Sequence, residues 1–496
     1  MRNRDLKLED FSVGDYVVFR RKFSRADYMA FAKLSGDWNP LHSSLKHARQ
    51  TEFSEPIVPV HLAAAPLSAI AGMVLPGRRA LYLGSNLRAI NPIKFDQEIT
   101  YSAKVVARGE LANVLTLRVL AFDKETVFLE ADIRVAIRDH VPPPDKTEKP
   151  APWKIKNSKD NRWALVTGAS GEIGRAVSKR LAQNGWNLIL NYCSDRASAE
   201  ELAKQCRIDG VEAKPVKADL ASSRGLRKLV DLVNENGEVT CLVHAASPPV
   251  ESPMDALMAV NYQAIEALGN ALLHGMLCRQ EGIVTLIGSS ALQVGSAKWA
   301  NYIAAKAAAV SYMEGLRRHY GSYGVRPLTV APGFVATSFS QDYRAEDMSV
   351  LEPEEVSDLL VSEIIDGNDS SKEGYIWLES SGVKRGSYGF YADGGPARKK
   401  LENEPVHRSG QLLEQRHSDG EDLASLVKNF FKLPPQTNIE HAGLDITPGW
   451  DSLRHIELML YIEEHLGIHL KSGDIESTTT FQNLSSLISS RISGED

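Results

Sequence analysis

Cysteine is scarce in this chain. Only four occur in 496 residues (Cys193, Cys206, Cys241, Cys278), and none are in Cys-x-x-Cys spacing. That excludes a disulfide scaffold and a cysteine-built zinc site, and it fits reduced thiols in a cytosolic protein. Long apolar runs are lacking as well. The longest, from Ile57 to Pro76, is interrupted by Pro59, His61 and Pro66 and reads as one long buried helix, not as a membrane span. No apolar stretch follows Met1-Arg2-Asn3-Arg4-Asp5, so no secretory signal is expected and the protein is expected to be cytoplasmic. There is no excess of positive charge: 57 Lys and Arg face 63 Asp and Glu, a net of -6, which argues against nucleic acid as a partner. The negative charge is concentrated in residues 421–496, which hold 12 acidic against 5 basic side chains. Such a segment is either a solvated surface or a docking face for basic partners.

What is present is ordinary globular composition, 43% hydrophobic and 24% charged, in a chain long enough for about three domains. Two stretches read as linkers. Residues 141–161 carry Pro142-Pro143-Pro144, Pro150, Pro152 and several lysines without an apolar period, as a semi-extended spacer does. Residues 394–420 are polar and charged, with Arg398-Lys399-Lys400. They leave candidate domains at 5–140, 162–393 and 421–496.

In the middle domain, Trp163-Ala164-Leu165-Val166 reads as a strand. It runs into Thr167-Gly168-Ala169-Ser170-Gly171-Glu172-Ile173-Gly174 and then a helical run. Strand, glycine turn and helix N-terminus together form a phosphate cradle. Further strands are expected at 188–191, 241–244 and 283–287, so the segment is predicted to be a doubly wound α/β sheet. Tyr302 and Lys306 are four apart in an alanine-rich helical stretch and share a face, where the lysine can stabilise a phenolate. Ser289 follows the strand at 283–287, where it could donate to a substrate carbonyl. Such pairs are common on helix surfaces; the glycine turn and Ser289 favour catalysis.

With these residues in place, 162–393 resembles a short-chain dehydrogenase/reductase of the β-ketoacyl-carrier-protein reductase type. The resemblance implies Ser289, Tyr302 and Lys306 as the catalytic triad and Asn261 as its proton-relay asparagine. It also implies cofactor contacts from Thr167, Gly168, Ser170, Gly171, Ile173, Gly174, Asn191, Asp219, Ala245, Tyr302, Lys306, Pro332, Gly333 and Thr337. Two departures stand out. Glu172 occupies the position of the family's second glycine, and His244-Ala245-Ala246-Ser247 replaces its Asn-Asn-Ala-Gly segment. Asn191-Tyr192 at the end of the second strand, with Arg196 nearby and no acidic residue to hold ribose hydroxyls, tilts the cofactor to NADP(H), with NAD less favoured.

In the first domain, Ser24-Arg25-Ala26-Asp27 opens a helix like a capping box. The helix ends in Ser35-Gly36-Asp37-Trp38-Asn39-Pro40-Leu41-His42, a turn that could aim Asp37 and His42 into one site or be a plain surface turn. The run resembles the MaoC-like (R)-specific enoyl hydratase signature, which implies a hot-dog fold for 5–140. It also implies that Asp37 and His42 add or remove water across the α,β bond of an acyl thioester. Where that family has His-Gly at the start of its central helix, this chain has Pro59-Val60. Pro59 cannot donate an N–H, and Val60 crowds the approach.

In the third domain, Gly449-Trp450-Asp451-Ser452-Leu453 precedes an amphipathic stripe of Leu453, Ile456, Met459 and Leu460. A serine there is either a helix cap or an attachment point. Residues 421–496 resemble an acyl carrier protein, a small all-α four-helix bundle, with Ser452 implied as the 4'-phosphopantetheine serine.

Together these readings predict a multidomain reductase–dehydratase: an α+β hot-dog domain, a Rossmann-type sheet and a carrier. It would act on a carrier-bound 3-oxoacyl thioester in fatty acid or polyketide-like biosynthesis. A phosphopantetheinyl transferase and separate condensing and loading or release enzymes are expected partners, as is a homodimer or larger assembly, and no metal is expected. Two alternatives stay open: a reductase whose hot-dog domain only binds the acyl arm, and a non-catalytic acyl-presenting scaffold.

Overall fold

The computed structural model describes residues 6–109, 113–141, 151–236, 238–344, 348–366 and 374–386. In the C-terminal unit it describes 423–431, 437, 439, 442, 458, 462, 478 and 480–493. The chain forms two compact units, residues 1–397 and 398–496.

The first unit begins with an antiparallel sheet of β1 (Asp15–Arg21), β2 (Ala80–Ala89), β3 (Ile99–Gly109), β4 (Val114–Asp123), β5 (Thr126–Ile137) and β6 (Lys156–Asn157), in the order β2-β5-β4-β3-β1-β6. Helix Arg25–Ser35 starts with the expected capping box, Ser24 and Asp27 satisfying each other's backbone N–H groups, and stops at Gly36 in the left-handed conformation. The expected single helix from Ile57 to Pro76 is two helices, Val60–Ala64 and Pro66–Met73. Pro66 lacks the N–H that would continue the first helix and starts the second one instead. The sheet wraps both, and Tyr101 on β3 donates to the carbonyl of Ala63 at 2.7 Å. The segment from 151 is no free spacer. Trp153 stacks on Phe19 with ring centroids 3.7 Å apart, and Lys156–Asn157 adds the edge strand to the sheet.

The same unit continues into an eight-stranded sheet of β7 (Trp163–Thr167), β8 (Asn187–Tyr192), β9 (Ala213–Lys217), β10 (Val239–His244), β11 (Gly282–Ile287), β12 (Val325–Pro332), β13 (Tyr375–Glu379) and β14 (Gly382–Gly386). Its order is β14-β13-β12-β11-β10-β7-β8-β9, parallel except for β14. Strand order reverses between β7 and β10, which opens a crevice at their carboxyl ends, the place where such sheets bind ligands. Among the described residues, no helix is long and apolar enough to cross a membrane, and no His/Cys/Asp/Glu group is arranged for a metal ion.

The two sheets share one body. Leu120, Phe122 and Val127 of the first pack in the same core as Leu268, Leu272 and Met276 of helix Ala264–Arg279. At the end of that helix, Gln280 is buried with φ at 47°. Its Nε2 lies 3.1 Å from the Ser102 carbonyl and 3.0 Å from that of Arg118, and its Oε1 accepts from Arg118 Nε at 2.7 Å. Beside it, Lys104 pairs with Glu281 at 2.8 Å. Gln280→Ala leaves the part-buried Arg118 Nε–H without its acceptor and removes the bonds to two strand carbonyls, so unfolding stability is expected to fall by about 2 kcal/mol. Denaturant melts of the full chain check this, and an unchanged midpoint would contradict it.

In the C-terminal unit, helices Leu423–Phe431 and Phe481–Ser493 contribute to one apolar cluster that includes Val427, Leu458, Ile462, Leu484 and Ile488. Ser452 and residues 449–453 lie outside the described residues.

Candidate active sites

At the β7/β10 crevice lies a cavity of about 790 Å³. Gly168, Ser170, Gly171, Ile173 and Gly174 form one wall, with Asn191, Asp219 and Ala245 beyond them and Ser289, Tyr302, Lys306, Pro332, Gly333 and Thr337 at the other end. Glycines let the backbone of the turn pack closely on itself. Gly168 has φ +64°, and a Cβ there would sit 2.8 Å from the Ala246 backbone; one on Gly174 would sit 2.2 Å from the Gly168 carbonyl oxygen. Only glycine lets this turn fold back over the N-terminus of helix Glu172–Gln183, where N–H groups would suit a diphosphate and where the Glu172 carboxylate already accepts from its own amide.

One expected cofactor contact is placed differently. Thr167 is not on the cavity wall: it is buried beneath it, with its hydroxyl 2.9 Å from Nδ1 of His244. His244 also faces the Val260 carbonyl at 2.9 Å, and burial, reinforced by Lys306, drives its pKa down to about 3. It is therefore a neutral strut, replacing the family's asparagine without adding charge. Arg196, offered as support for NADP(H), pairs with Glu200 at 2.7 Å on an exposed helix and does not line the cavity. Asn191 lines it, but its amide nitrogen donates to the Ala218 carbonyl at 3.0 Å.

Tyr302 and Lys306 sit on helix Ala300–Tyr320 and both are buried. The lysine donates to the Ile287 carbonyl at 2.8 Å, and its nitrogen lies 5.9 Å from the Tyr302 ring centroid. Burial pushes the Tyr302 phenol up to about 12, opposed by its hydrogen bond with Ser289. Burial also pulls Lys306 down to about 7. The site thus holds Tyr302 protonated at neutral pH, the state in which it can give up a proton. Asn261 is buried in a π-helical turn, Ala259–Gln263. Its amide nitrogen donates to Leu257, while its Oδ1 has no partner among the described residues, an acceptor left over beneath the site.

The sequence reading missed an aromatic wall. Trp299 packs edge-on to Phe334 and Tyr343, and Phe339 lies 6.3 Å from Tyr302 between ring centroids. All four line the cavity. Their loop position gave no periodic signal; only the aromatic spacing after Pro332-Gly333 pointed to it.

In the first sheet domain, the Asn39 side chain caps the short helix Pro40–Ser43 by accepting from Leu41 N–H, which turns His42 back toward Asp37. His42 Nε2 and Asp37 Oδ2 are 3.8 Å apart, with the side chains 12% and 38% exposed. Nδ1 of His42 lies 2.8 Å from the Ile57 carbonyl, which can only accept. Nδ1 is therefore a donor, and Nε2 is the ring nitrogen turned toward the carboxylate. Tyr28 donates to the Asp37 carbonyl at 3.2 Å and packs against the imidazole, fixing both.

Residues 162–348 match the short chain dehydrogenase family, and residues 12–120 match the MaoC like domain. An uncharacterized oxidoreductase of Bacillus subtilis is 30% identical over 205 residues, 40% of this chain and 83% of that protein. A 3-oxoacyl-[acyl-carrier-protein] reductase of Staphylococcus epidermidis is 28% identical over 189 residues, 36% of this chain and 78% of that protein. Among solved structures, a 3-oxoacyl (acyl-carrier-protein) reductase from Agrobacterium tumefaciens with NADP bound is 25% identical. It covers 44% of this chain and 93% of its own, with a TM-score of 0.40.

Proposed function

The chain belongs to the short-chain dehydrogenase family through residues 162–348, and from that premise we propose that it reduces a 3-oxoacyl thioester with NADPH and then dehydrates the 3-hydroxyacyl product to the 2-enoyl thioester. The observation that carries this reading is the placement of two complementary sites in one compact unit: Ser289 with the buried Tyr302 and Lys306 beside a glycine turn, and an Asp37–His42 pair in a MaoC-like domain. Similarity to the staphylococcal reductase supports the acyl-thioester class.

The bound reduced nicotinamide supplies the hydride. Ser289 polarises the 3-oxo group, and Tyr302 gives its proton to the developing alkoxide. Lys306 stabilises the resulting phenolate, and Asn261 Oδ1 offers an acceptor for re-protonation through water. For dehydration, one of Asp37 and His42 Nε2 removes the proton from C2, and the pair returns it to the departing C3 hydroxyl as water. Ser452 would carry the acyl chain on 4'-phosphopantetheine, supported by its sequence setting. Pairing of two copies is supported by the open edge of β2, where Leu81, Tyr82 and Leu83 are exposed.

The test uses the full-length protein with a free 3-oxoacyl pantetheine thioester. NADPH oxidation followed by appearance of the 2-enoyl thioester is expected. Absence of NADPH oxidation would overturn the reading.

A further inference from the structure

Glu172 is the departure from the glycine turn that the chemistry above leaves unused. It is the first residue of helix Glu172–Gln183 and lines the cavity beside Gly171 and Ile173. Its Oε1 accepts a hydrogen bond from the backbone N–H of Ser338 at 2.9 Å, across 166 residues of chain. Ser338 lies in the loop that follows β12. The base of that loop is fixed by Ala336 N–H to the Leu351 carbonyl at 2.7 Å and Gly333 N–H to the Leu378 carbonyl at 2.8 Å. Its far end is held by Tyr343 bonding to Glu251. Between these anchors, Glu172 joins the loop to the nucleotide turn, and the bond falls next to Phe339, the ring that faces Tyr302.

We propose that Glu172 is a positioning residue: a strut from the nucleotide turn that fixes the loop carrying Phe339, and so the substrate wall over Tyr302. This rests on the reductase reading above. Glycine, the family's residue at this position, could make no such bond. Burial raises the Glu172 carboxyl, but the amides of Ser338 and of Glu172 itself hold it below the usual carboxylate range, so it is anionic at neutral pH. A negative charge at a helix N-terminus is itself favoured, yet this one stands where a diphosphate would lie. The strut therefore aids the thioester and opposes the nucleotide, and two variants separate these effects.

Glu172→Gly removes both the bond and the charge; Glu172→Gln keeps an oxygen that can accept from Ser338 and removes only the charge. In cofactor-free protein, hydrogen–deuterium exchange of the peptide containing Ser338 is expected to accelerate in Glu172→Gly and stay near wild type in Glu172→Gln. In turnover, Glu172→Gly is expected to raise the thioester KM about tenfold, with a smaller change in kcat. Glu172→Gln restores the wild-type KM, and both variants bind NADPH more tightly by fluorescence titration. Unchanged exchange in Glu172→Gly, or a Glu172→Gln that behaves like it in KM, would overturn the proposal. Failure of wild type to bind NADPH would instead strike the reductase reading, and the exchange measurement would still decide whether the strut exists.

Discussion

Tyr302→Phe is expected to lower the turnover of a 3-oxoacyl thioester by about 10²- to 10⁴-fold, the range for loss of a positioned general acid. The substitution deletes one oxygen and keeps the ring. The ring packs in the cluster of Val250, Leu257 and Ala305 and faces Phe339, so fold and nucleotide affinity should stay near wild type. The effect is large because Tyr343, the other phenol on the cavity wall, is committed to Glu251. Ser289 hydrogen-bonds to Tyr302, and its aliphatic hydroxyl is a weaker acid than a phenol. Lys306 is tied to the Ile287 carbonyl. With burial holding the phenol at about 12, wild type presents its proton throughout the physiological range. Stopped-flow NADPH oxidation measures the loss, and turnover comparable to wild type would remove Tyr302 from the mechanism.

Asp37→Asn is expected to cut conversion of a 3-hydroxyacyl thioester to the enoyl thioester by about 10²-fold or more while leaving reduction intact. Asparagine preserves shape and can still accept the Asn39 N–H bond, so the turn should hold. What disappears is the negative charge 3.8 Å from His42 Nε2, and with it one of the two groups that pass the proton. Chromatography of hydroxyacyl and enoyl products separates the outcomes. Loss of enoyl product with normal NADPH oxidation is the expected result. Undiminished enoyl formation would mean that the first domain holds the acyl arm without acting on it.

Much of the reductase site was legible in the sequence because its chemistry is local. A glycine turn between strand and helix, and Tyr302 and Lys306 one helical turn apart, are near neighbours in the chain as well as in space. The capping box at Ser24 was legible for the same reason. The joint between the domains was not. On β3, Thr100, Ser102 and Lys104 alternate with apolar residues as a solvated face would, yet all three are buried, and Gln280 and Glu281 of the second sheet domain bond to Ser102 and Lys104. Polar partners 176–178 positions away leave no local signature. The reading of 57–76 as one helix failed at Pro66, where the apolar content is continuous but the backbone bond is not. Thr167 was assigned to the cofactor by its place in a motif; the buried His244 beside it redirected its hydroxyl.

The most direct measurement is intact-protein mass spectrometry of the full chain, phosphopantetheinylated and loaded with a 3-oxoacyl group, with and without NADPH. The expected result is one phosphopantetheine on wild type and none on Ser452→Ala. The acyl-loaded species should then gain the mass of two hydrogens with NADPH and afterwards lose one water. A chain that accepts no phosphopantetheine at Ser452, or whose acyl mass is unchanged by NADPH, would contradict the proposal that it reduces and dehydrates its own cargo.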